Sequence, residues 1–288
     1  MKTQIILRKV HYAFSAFLCT ACLVSCNDWL KPEPLSFYSP ENTYVTKEGL
    51  EGALVSCRAM IRPEFIGNNS YACTELMTSD VAVAGNIVAQ TLKNFEIQLK
   101  PGAYGDSQIG TFWSKGYSAI QKANTIISRV QAADEITEND KNTILAEGYF
   151  HRSYWYYKLV NQFGDVPFID KEVTTPKLDF YSHTRSSILK RLREDMMFAT
   201  RYLPESAPHG AVSKAAGNHL LAKICLACCD FDGAVAATTA VIDHSQHKLM
   251  EKRFGVNISD AQYNIISDLF NRENINSSEN LEGIFLVE

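Results

Sequence analysis

Apolar residues recur at helical spacings of three and four along much of the chain, and the breaks between these runs mark the elements. Leu50, Ala53, Leu54, Cys57 and Ile61 predict a helix that starts at Thr46-Lys47-Glu48-Gly49, with Thr46 as cap, and ends at Pro63. From Ile66 to Tyr104 the periodicity is poor, and Gly67-Asn68-Asn69-Ser70 and Ala84-Gly85-Asn86 punctuate what reads as long loops. Phe112, Trp113, Tyr117, Ile120, Ala123, Asn124, Ile127 and Val130 then mark an amphipathic helix, and 134–139 form the turn out of it. Thr137, three residues before Asp140, is placed to cap the next helix, Glu138 to Phe163. That helix has the clearest pattern in the chain. Leu145, Tyr149, Arg152, Tyr156, Leu159 and Phe163 form one continuous face, and Gly164 and Pro167 stop it. Further helices are predicted at Arg185 to Tyr202, Ser213 to Cys229 and Asp232 to Asp243, and one within Ser259 to Phe270. Asn271 to Asn280 is a polar loop, and Leu281 to Glu288 reads as a strand.

The stretch from Ala215 to Ile242 carries the most specific packing signal. Ala215, Ala216, Gly217, Leu221, Ala222, Cys225 and Leu226, an Asp230-Phe231-Asp232-Gly233 turn, then Ala234 and Val235, resemble a tetratricopeptide unit in which small residues let two helices approach. Such a pair cannot bury its apolar face alone, so helices 111–131 and 138–163 are expected to stack beside it as divergent repeats. The expected fold is mainly α, a tetratricopeptide-like helical-pair scaffold with long irregular loops over residues 46–288.

Residues 1–45 follow other rules. Lys2, Arg8 and Lys9 precede an apolar, nearly uncharged run from Val10 to Val24, the shape of an export signal. That run is shorter than the ~20 residues a helix needs to cross a bilayer core. Leu23-Val24-Ser25-Cys26 looks like a bacterial lipobox, so 1–25 is expected to be a lipoprotein signal peptide and Cys26 the acylated residue. Acyl chains contribute roughly 0.8 kcal/mol per buried methylene, enough together to hold a domain at a bilayer surface. The other reading is a simple secretory signal cut elsewhere. Residues 26–45 contain Pro32, Pro34 and Pro40 and read as an extended arm.

The chain has 28 basic and 32 acidic residues, so a general nucleic-acid binder is excluded for want of a basic surface. With Cys19 and Cys22 in the signal and Cys26 carrying lipid, Cys57, Cys73, Cys225, Cys228 and Cys229 remain, an odd number. Cys225, Cys228 and Cys229 lack a second pair at metal spacing and read as small buried residues on a helix. A Cys57–Cys73 bridge rests only on the shared compartment. No G-x-S-x-G, H-E-x-x-H or P-loop occurs. His244 and His247 read as a solvated face rather than metal ligands, and no cofactor or metal is implied. Glu147 and Asp195 can be imagined as a hydrolytic carboxylate pair, but nothing in the sequence places them at the required separation, and a role on helix surfaces or in ion pairs is the favoured reading. Arg152 lies on the apolar stripe and is expected to reach a carboxylate or carbonyls between helices.

Several stretches taken together resemble the SusD/RagB family, outer-membrane lipoproteins that capture glycans beside a TonB-dependent transporter. They are the lipobox with Asp28-Trp29-Leu30-Lys31-Pro32, Trp113-x-x-x-Tyr117-x-x-Ile120-x-x-x-Asn124, and Ala146-Glu147-Gly148-Tyr149-Phe150-His151-Arg152-Ser153-Tyr154. Leu159-Val160-x-x-Phe163-Gly164-Asp165-Val166-Pro167, Ser213-Lys214-Ala215-Ala216 and Leu221-Ala222-Lys223-Ile224 follow in family order. Gly148 and His151 depart from the helix-favouring, apolar residues usual there. Family members continue well beyond the point matched by Leu281 to Glu288, so the resemblance implies a truncated chain with an incomplete core and an unpaired strand edge.

The resemblance implies a non-catalytic protein at the outer membrane, lipid-anchored and surface-exposed, that passes an oligosaccharide or other nutrient to a SusC-like TonB-dependent transporter. It also places the family's sugar-binding loops within 66–110, where Asp80, Asn86 and Tyr104 are the candidate ligand contacts; the alternative for each is an ordinary loop polar residue. Trp113 falls in the packing motif and is assigned to the core. Two other classes stay open: a helical-repeat module that binds protein only, and a lipoprotein glycoside hydrolase.

Overall fold

The computed structural model describes residues 43–65, 108–133, 136–208, 210–244 and 246–287. Thr43 onward forms one unit. The described helices are α1 (Lys47–Phe65), α2 (Gln108–Arg129, continued by a 3-10 turn Val130–Ala132), α3 (Glu138–Phe163), α4 (Arg185–Tyr202), α5 (Lys214–Ala227), α6 (Phe231–His244) and the short α7 (Ile265–Leu269). The helical array expected from the apolar periodicity is present. α2 packs on α3, α3 on α4, α4 on α5 and α5 on α6, while α1 lies against α2 and α3.

The caps follow the sequence. Thr137 accepts the Asp140 N–H at 3.2 Å, Thr184 that of Ser187 at 3.2 Å and Ser213 that of Ala216 at 3.3 Å. Gly164 ends α3 at φ +75°, a left-handed conformation open to glycine, and donates its N–H to the Val160 carbonyl. At the α5–α6 corner, Asp230 accepts the Gly233 N–H at 3.0 Å, so α6 starts at Phe231 inside the expected turn.

α3 is the central helix, and it carries more than the single stripe its spacing suggests. Phe150, Trp155, Tyr156, Leu159 and Val160 are buried on it, and so are Glu147, His151, Arg152 and Ser153. A helix buried on most sides must also bury polar groups, and Glu147 and Arg152 are tolerated there by pairing. Arg152 donates to Asp195 at 2.5 Å, to the Asp170 carbonyl at 2.9 Å and to Asn124 Oδ1 at 3.3 Å, the interhelical role expected of it. Arg58 on α1 donates to both carboxylate oxygens of Glu147, at 2.6 and 2.8 Å. Gly148 has a packing reason: a Cβ there would sit 3.1 Å from Ile127 Cγ1, so its absence lets α2 and α3 close together.

The chain after α3 is stitched to α2 by residues of the recognisable motif. Tyr117 donates to the Pro167 carbonyl at 2.8 Å, Gln121 to Val173 O at 3.2 Å, and Asn124 to Ile169 O at 2.7 Å. Positions 117, 121 and 124 share one helical flank, which holds the turn after Gly164 in register. There Val166–Pro167 pairs antiparallel with Ser182–His183, a two-residue ribbon too short to show in the pattern.

Three expectations are corrected. Pro63 does not end α1; it deletes one donor within the last turn, and the helix runs on to Phe65 because buried Glu64 is anchored to Tyr154 and Lys158 of α3. The expected 259–270 helix shrinks to α7. Arg253 takes the Asp260 carbonyl at 3.0 Å and the Tyr263 carbonyl at 2.6 Å, fixing the segment before α7 as turns around one guanidinium. Leu281 to Val287 is not a strand: its one backbone bond of that kind is Lys248 N–H to Leu281 O, and Ile284, Phe285 and Val287 instead pack onto the main core. No unpaired strand edge therefore exists there. On α6, Phe231, Val235 and Ile242 remain exposed.

Candidate functional site

A groove of about 600 Å³ lies between α3, α5 and residues 282–287, with Phe65 of α1 at one end. Its α3 wall comes from Tyr154, Tyr157, Lys158 and Asn161, spaced three, four and seven residues along one flank. Ala216, His219, Leu220 and Lys223 do the same from α5, and Phe285 closes the third side, 5.6 Å from the Phe150 ring and edge-on to it. Ring faces and hydrogen-bonding side chains thus share one concave surface, the combination a pyranose needs for its C–H face and its hydroxyls.

The floor of the groove is electrostatically settled. Glu64, fully buried, accepts the Tyr154 hydroxyl at 2.6 Å and is in contact with the Lys158 ammonium. Burial, reinforced by the neighbouring Lys223 ammonium, presses Lys158 toward neutrality, and the Glu64 carboxylate opposes it. Lys158 also lies 5.6 Å from the Tyr154 ring centroid and 5.9 Å from that of Phe112. Nearer the mouth, partial desolvation against the groove wall and the Lys223 charge lower the imidazole of His219, an exposed residue, below its ordinary range, favouring the neutral ring.

A larger cleft, about 930 Å³, lies between the end of α6, residues 247–252 and residues 279–284. Among the described residues it is lined by aliphatic and charged side chains with Met250 and His247, and by no Phe, Tyr or Trp ring of the kind a sugar stacks on.

Asp80, Asn86 and Tyr104 lie outside the described residues, as do Cys26, Cys73 and the segments 1–25 and 26–42. Of the other candidates, Trp113 is half-buried and packs against Tyr117 and Phe163, with ring centroids 4.9 and 5.0 Å away, in keeping with its assignment to the core. Glu147 is engaged by Arg58 and His151, and Asp195 by Arg152 and Arg191. Both are therefore ion-pair residues, buried rather than on helix surfaces. Cys57 is a free, buried thiol whose pKa burial pushes up to about 12. The 225–229 cysteines are not uniformly buried: Cys225 is, Cys228 is half-buried, and Cys229 is exposed at φ 58° where the chain leaves α5. Among the described residues no three His, Cys, Asp or Glu side chains group as metal ligands. His247 meets the Leu281 carbonyl at 3.2 Å.

The groove residues were not singled out from the sequence, although the 154–157–158–161 spacing was there to find. The neighbouring stripe through Tyr156 and Leu159 is the stronger apolar signal and drew the reading to the core face.

Stacked helices with an aromatic groove on one flank define a tetratricopeptide-like scaffold. The chain belongs to the SusD-like family: residues 50–226 match the family described as starch-binding associating with the outer membrane. It is 29% identical over 243 residues to SusD-like protein P2 of Formosa agariphila, a match covering 83% of this chain and 47% of the relative. A SusD superfamily protein from Bacteroides vulgatus superposes with a TM-score of 0.69 at 17% identity, over 84% of this chain and 50% of that one. A laminarin-binding SusD-like protein superposes with a TM-score of 0.62 at 22% identity, over 70% and 46%. The chain spans about half the length of the curated relatives it matches.

Proposed function

We propose that this protein is a non-catalytic glycan-binding lipoprotein of the outer membrane that delivers oligosaccharide to a SusC-like TonB-dependent transporter. The observation that carries the reading is the family match over residues 50–226, a family described as starch-binding and associated with the outer membrane. The structural likeness to a laminarin-binding protein and the aromatic groove support it. In this reading acylated Cys26 holds the scaffold at the bilayer and raises its effective concentration beside the transporter. Asp80, Asn86 and Tyr104 supply planar polar groups and a ring face to the sugar.

Calorimetry with soluble starch and laminari-oligosaccharides, paired with a reducing-end assay, tests the reading. Heat of binding with at least one glycan and no release of reducing ends is expected. Absence of heat with every glycan would favour a protein-only helical module, and released reducing ends would favour a hydrolase. Cys26→Ser should move the protein out of the membrane fraction, and the acylated form should co-purify with a TonB-dependent porin.

A further inference from the structure

Lys223 stands on the exposed flank of α5 with its ammonium 5.7 Å from the centroid of the Tyr157 ring. One turn before it, His219 is exposed at the same mouth. The carboxylates nearby are Glu64 and Glu282. Glu64 is buried and occupied by Lys158 and the Tyr154 hydroxyl, and Glu282 accepts the Met250 N–H at 2.9 Å. Among the described residues no carboxylate is in ion-pair contact with Lys223. The groove therefore offers a ring face with a cation over it that no described carboxylate pairs with, and an imidazole beside it.

A neutral sugar lying on Tyr157 makes little use of that cation, because an ammonium keeps its hydration unless an anion replaces it. An anionic substituent projecting from the same sugar ring would meet Lys223 in a charge-assisted hydrogen bond, stronger than a neutral one. Lys223 also adds attraction over a low-dielectric groove wall, which raises the local concentration of an anion. We propose that this groove selects anionic saccharides, carrying a uronate carboxylate or a sulfate ester, with the sugar face on Tyr157 and Lys223 as counter-ion. The proposal rests on the glycan-binding reading above and deepens it to a ligand class.

The test is calorimetry on the full chain with three probes of similar length: an oligogalacturonate, a sulfated carrageenan oligosaccharide and a neutral laminari-oligosaccharide. At least one anionic probe should bind roughly tenfold or more tighter than the neutral one, with an affinity that falls as salt rises. Lys223→Gln should remove that preference and its salt dependence, Lys223→Arg should keep both, and Tyr157→Ala should weaken the anionic probe. Lys223 is exposed, so Lys223→Gln should fold normally, which circular dichroism verifies. Which anionic probe responds separates uronate from sulfate. Equal binding of neutral and anionic probes, or an anionic affinity untouched by Lys223→Gln, overturns the proposal and leaves glycan binding standing. Absence of binding to all three probes overturns the proposal, and absence of binding to soluble starch as well overturns the glycan-binding reading.

Discussion

The Arg152–Asp195 pair offers the sharpest test of how α3 tolerates its polar load. Arg152 is 1% exposed and Asp195 3% exposed, so both groups have given up water. Besides Asp195, the guanidinium satisfies the Asp170 carbonyl and Asn124 Oδ1, and it lies 4.9 Å from the Tyr149 ring. Replacing Arg152 by Met keeps much of the volume but strands a buried carboxylate, whose remaining partner is Arg191, itself largely at the surface, at 3.2 Å. Removing one member of a buried pair typically costs about 3–5 kcal/mol. The two other orphaned acceptors raise that cost, while Arg191 and water entering along it lower it, so about 4 kcal/mol is expected for Arg152→Met. At roughly 2–4 °C per kcal/mol for a domain of this size, the melting temperature should drop by about 8–16 °C. Urea unfolding should show the loss in midpoint with an unchanged slope. The double variant Arg152→Met with Asp195→Leu removes both charges and should lose far less than the sum of the two single variants. A loss below about 1 kcal/mol for Arg152→Met, or simple additivity in the double variant, would refute the claim that α3 is held by compensated charge.

Other consequences follow from the same packing. Gly217→Ala would place a methyl 2.6 Å from Leu203 Cδ1 and should destabilise by about 1–3 kcal/mol in urea unfolding, whereas Gly148→Ala meets the half-buried Ile127 at 3.1 Å and gains about 1 kcal/mol of helix propensity, so it should stay within about 1 kcal/mol of the parent. Tyr156→Phe removes the hydroxyl that accepts the Ile169 N–H at 2.6 Å, and a loss of about 1–3 kcal/mol is expected by thermal unfolding. Burial alone would raise the Glu147 carboxyl, but the hydrogen bonds and charges of His151 and Arg58 outweigh it and hold the pKa below the usual range. The unfolded chain then binds more protons than the folded one in this window, so the stability from Glu147 is present above the ordinary glutamate pKa and fades as pH falls through the folded value. Glu147→Gln should flatten that acid limb when urea midpoints are measured against pH.

Helix positions were legible in the sequence because they depend on local spacing and on caps within four residues. Glu138 to Phe163 and Arg185 to Tyr202 coincide with α3 and α4, and Thr137, Gly164 and Ser213 act where the pattern put them. The misreadings arose where distant residues decide. Pro63 is passed because Glu64 is tied to a helix 90 positions on, and the segment before α7 turns around Arg253. Leu281 to Val287 has the composition of a strand but finds a hydrophobic core instead of a neighbouring ladder. The groove was illegible for a similar reason: Tyr157 and Lys223 are 66 positions apart, and each looks like an ordinary surface residue on its own helix.

Spacing and caps alone located the long described helices and their order, and the Trp113-to-Asn124 and Phe163-to-Pro167 motifs pointed to the family. Periodicity and capping are short-range and survive without knowledge of the partner. Helix-to-helix packing gave the polar residues their particular partners, although the place of Arg152 on the apolar stripe already pointed to its interhelical role. The tertiary structure turned Arg152, Glu147 and Glu64 into buried counter-ions, and it brought flanks of α3 and α5 together into a ring-lined groove with Lys223 at its mouth. Burial and charge pairing are properties of helix-to-helix placement, so the spacing along one helix shows that Arg152 faces inward but not which carboxylate it meets.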